Sequence, residues 1–375
     1  MVDKFPPLPS MDGGKLRSAA LLRRLAALGD VVVCCFEGEP GDRLAYRALG
    51  VDLRTVPWRP SALPVLRGLA RTRSLSAARF WSDDLAATVR SAVREAPTDV
   101  LLVEHGQLGR YLECGSAGLS VLDMHNVDSV LASSYTNGSG PRAALAAVEA
   151  RLLRGLERTV LATADVTLTV SRGDADLVRP WARELLVCPN GWDCQEPLPP
   201  AARPIVVFTA LMSWAPNVDA AVWFAERVWP RVHSEVPGSE LWLVGKDPTL
   251  AVRLLADALG VVVTGTVPEI RPYLADARVA VAPLRSGGGT RLKVLEALDA
   301  GRPVVGTTVG LSGLEELGGR GLQTADSPDE MARAVRAWLL DPGAAAEAGM
   351  DGHRAVTEAY GWDRCLAPFF ARVAC

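Results

Sequence analysis

Short apolar runs alternate with longer amphipathic stretches along nearly the whole chain, and this alternation constrains the fold more than any other feature. The runs are continuous in Val, Leu and Ile, which is typical of strands whose two sheet faces are both covered by helices. Strands are predicted at residues 31–36, 51–56, 100–103, 120–123, 166–170, 185–188, 205–209, 241–244, 261–264, 279–282 and 303–306. Helices are predicted between them, for example at 15–28, 143–162, 218–228 and 292–300. The order of strands and helices predicts an α/β fold with parallel sheets.

A cluster of prolines divides the sequence into two comparable α/β halves. The 375 residues exceed what one core usually supports. Four prolines fall from residue 197 to residue 204, so a linker is predicted at 193–204. The predicted domains are 1–195 and 204–358, followed by a helix at 359–375. Since ligands bind at the carboxyl ends of parallel strands, two facing halves of this kind are expected to enclose a cleft.

Composition excludes several classes of function. The net charge of −3 gives no basic field for binding nucleic acid. No apolar run approaches the roughly 20 residues that a membrane-spanning helix needs, and no signal peptide is recognised, so a cytoplasmic protein is expected. The seven cysteines are scattered without metal-ligand spacing, which predicts reduced thiols and no metal site. Residues 1–5 are too short for a normal first strand, so this strand is either a stub or truncated.

The segment 282–303 carries the strongest functional signal and reads APLRSGGGTRLKVLEALDAGRP. A predicted strand is followed by Gly287, Gly288, Gly289 and Thr290, and then by a predicted helix. Glycines let the backbone approach a ligand closely, and the free amides of a helix N-terminus bind phosphate. The segment therefore predicts a phosphate-binding loop.

Three charged residues follow this loop in helical register. Arg291 and Lys293 bring positive charge to the first turn, where it would neutralise phosphate oxygens. Glu296 follows Lys293 by three residues and shares its helix face, where a carboxylate could accept hydrogen bonds from a ribose diol. The pattern suits a nucleoside diphosphate. The alternative is a simple turn, with Glu296 paired to Lys293 on a solvated face.

Polar residues also follow two strands of the N-terminal half. His125 comes just after the strand at 120–123 and is a candidate catalytic residue. Glu104 and His105 follow the strand at 100–103 and could line the acceptor side. The alternative for each is a purely structural role. Ser171 is predicted to cap a helix, and Asn217 either caps a helix or contacts the donor.

Several of these segments, taken together, resemble the retaining glycosyltransferases of the GT-B fold known as group 1, or family-4-like. Glu296-Ala297 resembles the second Glu of the family's donor-binding motif. Further matches are 6–7, 13–14, 189–193 (PNGWD), 243–245 (LVG) and 264–268 (TGTVP). The helix at Trp362–Val373 resembles the family's last helix, which returns to the N-terminal domain.

The resemblance implies two facing Rossmann-like domains, with acceptor binding in the first and nucleotide-sugar binding in the second. It implies transfer of a sugar from a nucleoside-diphosphate sugar, such as a UDP- or GDP-sugar, with retention of anomeric configuration and without a metal or other cofactor. The candidate catalytic residues are Arg291, Lys293 and His125. The candidate donor-binding residues are Gly13, Gly14, Asn217, Val267, Gly288, Gly289, Thr290 and Glu296. The candidate acceptor-side residues are Glu104 and His105.

Two departures from the family pattern leave details open. Gly288 stands where the first Glu of the motif is expected, as in a subgroup with Gly-Gly-Gly-Thr-Arg-Leu-Lys. Residues 210–217 (ALMSWAPN) lack the family's Arg and Lys, so Arg291 and Lys293 are inferred to neutralise the diphosphate. The alternatives are a catalytically silent nucleotide-sugar-binding partner protein or a GT-B epimerase or phosphorylase. The acceptor is a small molecule, a saccharide or a lipid-linked glycan, and the Arg-rich segment 54–79 either lies on a membrane surface or forms part of the acceptor side.

Overall fold

A computed structural model describes residues 1–8, 13–38, 43–134, 140–287 and 291–374. The chain divides into an N-terminal unit, residues 1–190 with 366–375, and a C-terminal unit, residues 191–365. Both units are α/β with parallel strands, so the predicted fold class is confirmed. Each predicted strand is present within one residue at either end.

The N-terminal unit is built on one parallel sheet. Its strands are β1 (Val32–Phe36), β2 (Asp52–Val56), β3 (Val100–Glu104), β4 (Leu119–Met124), β5 (Val166–Thr169) and β6 (Glu184–Val187). Val2 forms parallel bridges to Cys34 of β1 and to Val103 of β3, and so joins the pair β1-β2 to the row β3-β4-β5-β6. The first residues of the chain therefore lie in the middle of this sheet, as a very short central strand.

Helices and a 3₁₀ segment, Gly106–Cys114, connect these strands. The helices are α1 (Gly13–Ala26), α2 (Arg43–Ala48), α3 (Ala62–Thr72), α4 (Leu75–Ala78), α5 (Asp83–Glu95), α6 (Asp128–Ser134), α7 (Pro141–Thr163) and α8 (Arg172–Val178). Ser171 caps α8 as predicted, because its hydroxyl accepts a hydrogen bond from the Asp174 amide at 3.0 Å.

The C-terminal unit has a six-stranded parallel sheet in the order β12-β11-β10-β7-β8-β9. The strands are β7 (Ile205–Thr209), β8 (Glu240–Val244), β9 (Val261–Gly265), β10 (Val279–Ala282), β11 (Val304–Gly306) and β12 (Leu322–Thr324). This is the doubly wound order of dinucleotide-binding sheets, in which the chain reverses direction between β7 and β10. Ligands bind at the carboxyl ends of the strands at this point. The sequence did not predict β12, which has three residues, two of them exposed.

The helices of the C-terminal half cover both faces of this sheet, except that the last one continues into the N-terminal unit from residue 366. They are α9 (Ala215–Trp223), α10 (Trp229–Glu235), α11 (Leu250–Arg253), α12 (Arg271–Asp276), α13 (Leu292–Asp299), α14 (Pro328–Leu340), α15 (Pro342–Ala359) and α16 (Trp362–Val373). A π-helical turn, Phe224–Val228, joins α9 to α10. Near the chain end, Arg372 Nε lies 3.0 Å from Glu184 Oε2 within the N-terminal unit. None of the helices in the described ranges is long and apolar enough to cross a membrane.

The core of the C-terminal unit explains why its strands are continuously apolar. Val206 and Phe208 of β7 pack in one hydrophobic cluster, whereas Ile205 and Val207 of the same strand pack in another. Successive side chains of a strand point to opposite faces, so both faces of β7 are buried.

Gly245 sets the spacing between the ends of β7 and β8. Its φ is +152°, and a Cβ at this position would lie 1.8 Å from the carbonyl oxygen of Ala210. Only glycine lets the backbone after β8 pass this close to the backbone after β7. The segment 210–217 is therefore held against the sheet at the point where the chain reverses direction.

Candidate functional site

Lys293 and Asn217 meet at the carboxyl end of β7. Lys293 Nζ donates a hydrogen bond to Asn217 Oδ1 at 2.8 Å and lies 4.6 Å from the ring centre of Phe208. Asn217 Nδ2 donates to the carbonyl of Leu211 at 2.9 Å. The prediction that Asn217 caps its helix is wrong, because α9 begins at Ala215 and Asn217 lies in its first turn. Asn217 instead connects α13 to the segment after β7.

Lys293 and Glu296 have strongly displaced acidities. Burial, together with the positive charge of Arg291, lowers the pKa of Lys293 to about 7. Burial raises the pKa of Glu296 to about 7, against the opposing effect of Lys293. Within the part of the chain that the structure describes, no hydrogen bond or ion pair reaches the Glu296 carboxylate. The predicted alternative, a Lys293–Glu296 pair on a solvated face, does not occur among the described residues.

Arg291 is buried, with 5% of its surface exposed. Its guanidinium donates to the carbonyl of Val309 from Nε at 3.2 Å and from Nη2 at 3.0 Å, and to Ser312 Oγ at 3.4 Å. A Cβ on Gly287 would lie 3.3 Å from Arg291 Nη1, so the loop passes close beside the guanidinium. Arg291 therefore braces the loop at 309–312 as well as bringing charge to the start of α13.

The other candidate donor residues lie in different places. Gly288, Gly289 and Thr290 lie outside the described residues. Val267 is partly buried against the hydrophobic cluster of the C-terminal unit. Gly13 and Gly14 begin α1 in the N-terminal unit.

A second group of polar residues lies at the carboxyl ends of β3 and β4, within the N-terminal unit. Glu104 is the last residue of β3, Asp123 is the last but one of β4, and the two stand opposite each other in the strand register. His125 Nε2 lies 2.7 Å from Glu104 Oε2 and 3.5 Å from Asp123 Oδ2. All three residues are buried. The structure thus brings His125 and Glu104, which were predicted separately as catalytic and acceptor-side residues, into direct contact.

Arg17 of α1 binds Asp123 in this group, and the sequence did not predict this contact. Arg17 Nε and Nη2 each donate to one oxygen of Asp123 at 2.7 Å, while Nη1 donates to the Cys188 carbonyl at 2.7 Å. Both charged side chains are fully buried. Burial opposes ionisation of Asp123, but the Arg17 guanidinium outweighs it and holds the pKa of the carboxyl below its usual range. In the sequence, Asp123 follows an apolar run, and a carboxylate in such a position indicates that a positively charged side chain is buried beside it.

The buried side chains of Glu104 and His125 both have raised pKa values. Burial and the charge of Asp123 raise the pKa of Glu104 to about 8, although His125 opposes the shift. Burial would lower the pKa of His125, but hydrogen bonds to Asp123 and Glu104 outweigh it and raise this pKa to about 9. Glu104 Oε1 is buried without a hydrogen-bond partner in the described ranges. Each of the two side chains therefore holds a proton more tightly than it would in water.

His105 adopts an unusual backbone conformation beside this pair. Its φ is +64°, which is rare for a residue with a side chain and is typical of functional sites. Its ring centre lies 3.9 Å from that of His125, and its Nε2 lies 3.6 Å from Asp3 Oδ1. Burial and the charge of His125 hold the pKa of His105 well below its usual value. His105 is therefore neutral at physiological pH.

Glu104, Asp123 and His125 are also the kinds of residues that bind metals. One ligand atom from each lies within 4.8 Å of the others. However, Arg17 occupies both oxygens of Asp123, and its positive charge opposes a bound cation. The donor set therefore does not fit a metal ion.

One family model matches part of the chain. Residues 203–341 match the family model described as Glycosyl transferases group 1. No curated protein sequence matches the chain significantly. Similar solved structures include sucrose-phosphate synthase from Thermosynechococcus elongatus, with a TM-score of 0.72, 17% identity and coverage of 99% of this chain and 97% of that chain.

Two more solved structures match over the whole chain. HepE from Anabaena in complex with UDP and glucose has a TM-score of 0.68 at 12% identity, covering 100% of this chain and 98% of that chain. The α,α-trehalose 6-phosphate synthase from Burkholderia multivorans has a TM-score of 0.67 at 13% identity, covering 100% and 97%. At these identities the similarity establishes the fold. The protein has the GT-B fold, and its residues 203–341 form a domain that matches the Glycosyl transferases group 1 family.

Proposed function

We propose that the protein is a retaining glycosyltransferase that moves a sugar from a nucleoside-diphosphate sugar to an acceptor. The observation that carries this proposal is the contact between Lys293 and Asn217 at the carboxyl end of β7, inside the region that matches the family model. A cation with a lowered pKa, held at the point where a doubly wound sheet binds nucleotides, suits a diphosphate.

The diphosphate lies, in this proposal, at the start of α13. Lys293 and Arg291 neutralise its negative charge, and the N-terminal amides of the helix add donors. Glu296 lies one turn further along α13 and has no partner among the described residues, so its carboxylate is available to the ribose hydroxyls. Val267 borders the base, as the resemblance implies.

The reaction breaks the bond between the anomeric carbon and the diphosphate oxygen. The acceptor attacks the anomeric carbon on the same face as the departing diphosphate, and the diphosphate takes up the proton that the acceptor loses. Catalysis then comes from positioning and from stabilising the charge on the leaving diphosphate. Neither a protein nucleophile nor a metal is part of this scheme.

His125 has a separate role in the proposal. As a protonated imidazole held by Glu104 and Asp123, it can donate a hydrogen bond to a hydroxyl of the donor sugar. Glu104 and His105 complete the acceptor side of the N-terminal unit. HepE, whose structure holds UDP and glucose, supports a nucleotide-sugar donor by analogy of fold alone.

The test is thermal stability with UDP, GDP, ADP and dTDP, for wild type and for Glu296→Ala. A ligand at 100 times its dissociation constant stabilises a protein by about 2.7 kcal/mol. We expect one diphosphate to raise the melting temperature of wild type and to lose most of this effect in Glu296→Ala. If no diphosphate shifts wild type, the proposed donor site is wrong.

A catalytically silent nucleotide-sugar-binding protein is the second candidate. Gly288, standing where the family motif has its first Glu, favours it. Incubation with the matching sugar nucleotide separates the two, because slow hydrolysis or transfer of the sugar excludes a silent binder. Isomerised sugar nucleotide as the product would instead indicate an epimerase.

A further inference from the structure

A pocket of about 340 Å³ lies within the N-terminal unit, apart from the residues discussed so far. Phe36, the last residue of β1, and Pro57, which directly follows β2, both line it. The pocket therefore opens at the carboxyl ends of parallel strands, on the edge of the sheet where Glu104 and His125 also lie. This edge is where parallel α/β sheets bind their ligands.

The chain around the pocket is strongly basic. Residues 53–82 contain six arginines and no Asp or Glu, in a protein whose net charge is −3. Arg59, Arg67 and Arg79 line the pocket and are exposed. The guanidinium groups of Arg59 and Arg79 make no hydrogen bond or ion pair with the residues that the structure describes. Two planar cations thus face the pocket without a partner among the described residues.

Two aspartates at the start of α5, Asp83 and Asp84, also line the pocket. Asp83 is already engaged, because its Oδ1 accepts a hydrogen bond from Trp81 Nε1 at 3.2 Å and its Oδ2 lies 4.0 Å from Arg67 Nη1. The charges of Arg67 and Asp83 therefore offset each other. Arg59 and Arg79 outnumber the remaining carboxylate, that of Asp84, so the charged residues lining the pocket keep a net positive charge that attracts an anion.

Aromatic side chains give the pocket a rigid wall. Trp58 stacks on Phe80 with an angle of 7° between the ring planes, and Phe5 meets Trp58 edge-on at 5.4 Å. Trp81 stacks on Tyr111 at 4.9 Å. Such faces bind the apolar side of a sugar ring or another ring, while arginines bind phosphate or carboxylate groups.

The aromatic wall also reaches the buried cluster that holds His125. Lys4 Nζ lies 4.8 Å from the ring centre of Phe80. The neighbouring Asp3 lies beside His105 at 3.6 Å, and His105 contacts His125. A chain of contacts through Phe80, the neighbouring residues Lys4 and Asp3, and His105 therefore links the pocket wall to the proposed catalytic histidine.

We propose that this pocket binds the acceptor and recognises a phosphate or carboxylate group on it through Arg59 and Arg79. A ring of the acceptor then packs on Trp58. The identification of the ligand as the acceptor rests on the proposed transferase function, whereas the binding of an anionic ligand does not. A soluble sugar phosphate and a lipid-linked phosphate present the same chemistry.

The experiment measures binding without turnover, by titration calorimetry on the full chain with the donor site filled by its nucleoside diphosphate. The soluble probes are glucose 6-phosphate, glucuronate and glucose. The membrane probes are phosphatidylcholine vesicles with and without a polyprenyl phosphate. The variants are Arg59→Gln and Arg79→Gln, and the matched control is Arg47→Gln, an exposed arginine on α2 that does not line the pocket.

We expect at least one anionic probe to bind wild type and Arg47→Gln equally, and to bind each pocket variant at least tenfold more weakly. Glucose should bind more weakly than its phosphate, and added salt should weaken the binding of the anions. If only the phosphate-bearing vesicles show this dependence on arginine, the acceptor is lipid-linked. If the soluble probes show it, the acceptor is a soluble anion.

The proposal is overturned if no anionic probe binds wild type, or if binding is unchanged in both pocket variants. Both side chains are exposed, so the two pocket variants should melt at the wild-type temperature. If they do, misfolding is excluded as the cause of a loss of binding. Failure of the transferase proposal would look different. In that case the nucleoside diphosphates would leave the melting temperature unchanged, while arginine-dependent binding of the anion persisted.

Discussion

The burial of the charged Lys293 side chain destabilises the folded protein. Its ammonium group lies against the ring of Phe208 and near Arg291, and among the described residues a single neutral amide, that of Asn217, accepts its hydrogen bond. A charged amine with so little compensation loses more hydration than it regains in the folded protein. Such a residue is accounted for by a ligand that restores its charge on binding, and a diphosphate does this.

Replacing Lys293 with Met should therefore separate stability from activity. We expect Lys293→Met to raise the stability of the free protein by about 1 kcal/mol, equivalent to roughly 2–4 °C in the melting temperature of a domain of this size. Turnover should fall by about two to three orders of magnitude, the usual effect of losing one charge-stabilising group. Calorimetry and steady-state kinetics measure the two effects. Unchanged turnover would exclude Lys293 from the mechanism.

The pH dependence of diphosphate binding follows from the same residue. The pKa of Lys293 is about 7 in the free protein, and a bound diphosphate raises it because opposite charges favour the protonated form. Binding above pH 7 must therefore take up a proton, so affinity should fall by up to about tenfold per pH unit as pH rises.

Titration calorimetry in buffers of different ionisation enthalpy would measure this proton uptake. Lys293→Met should lose the part of the alkaline decline that the lysine causes. Glu296→Gln should keep this part, because it removes only the second group whose pKa is about 7. An alkaline decline of the same slope in Lys293→Met would show that another group is responsible.

At the scale of elements, a buried ion pair connects the first helix to the sheet of the N-terminal unit. Arg17 lies one turn into α1 and reaches both oxygens of Asp123 on β4, as well as the backbone just after β6. Pairing β3 with β4 in register then places Glu104 beside Asp123, where both contact His125. The position of the histidine thus depends on α1.

Removing Arg17 should destabilise the N-terminal unit strongly. We expect Arg17→Met to cost about 3–5 kcal/mol, since it leaves the Asp123 carboxylate buried without its counter-charge. Urea unfolding followed by tryptophan fluorescence would measure it. Adding Asp123→Asn should recover part of the loss, because the buried charge is then gone. Arg23→Met, an exposed arginine on the same helix, is the control and should have little effect.

At the scale of the whole molecule, the two units have separate hydrophobic cores. One cluster gathers residues of β1, β3 and β4 with the helices of the N-terminal unit. Two others lie on the two faces of the β7–β12 sheet. Lys293, Glu296 and Asn217, which form the proposed donor site, all belong to the C-terminal unit.

Donor binding should therefore stabilise the two units unequally. We expect the nucleoside diphosphate to raise the urea midpoint of C-terminal peptides, including those of α13, while N-terminal peptides shift little. Pulsed hydrogen exchange with mass spectrometry reads both units in one experiment. Equal shifts would show that the units unfold as a single cooperative body or that both bind the ligand.

The sequence by itself determined the α/β fold and nearly all the strands. Strands that are buried on both faces are continuously apolar, so they can be recognised without knowing which strands they pair with. It also predicted Lys293, Glu296 and His125 as site residues, since each lies just after a strand or at a helix start. It missed β12, whose three residues have too little apolar character to stand out.

Only the tertiary structure decided which distant residues meet. Arg17 and Asp123 are 106 positions apart, and Lys293 and Asn217 are 76 apart, so no local pattern links them. The order of the strands brings these pairs together, and burial then sets their charge states. The pocket beside Trp58 and Arg79 arises in the same way, because segments that are separate in sequence must pack side by side before they enclose any space.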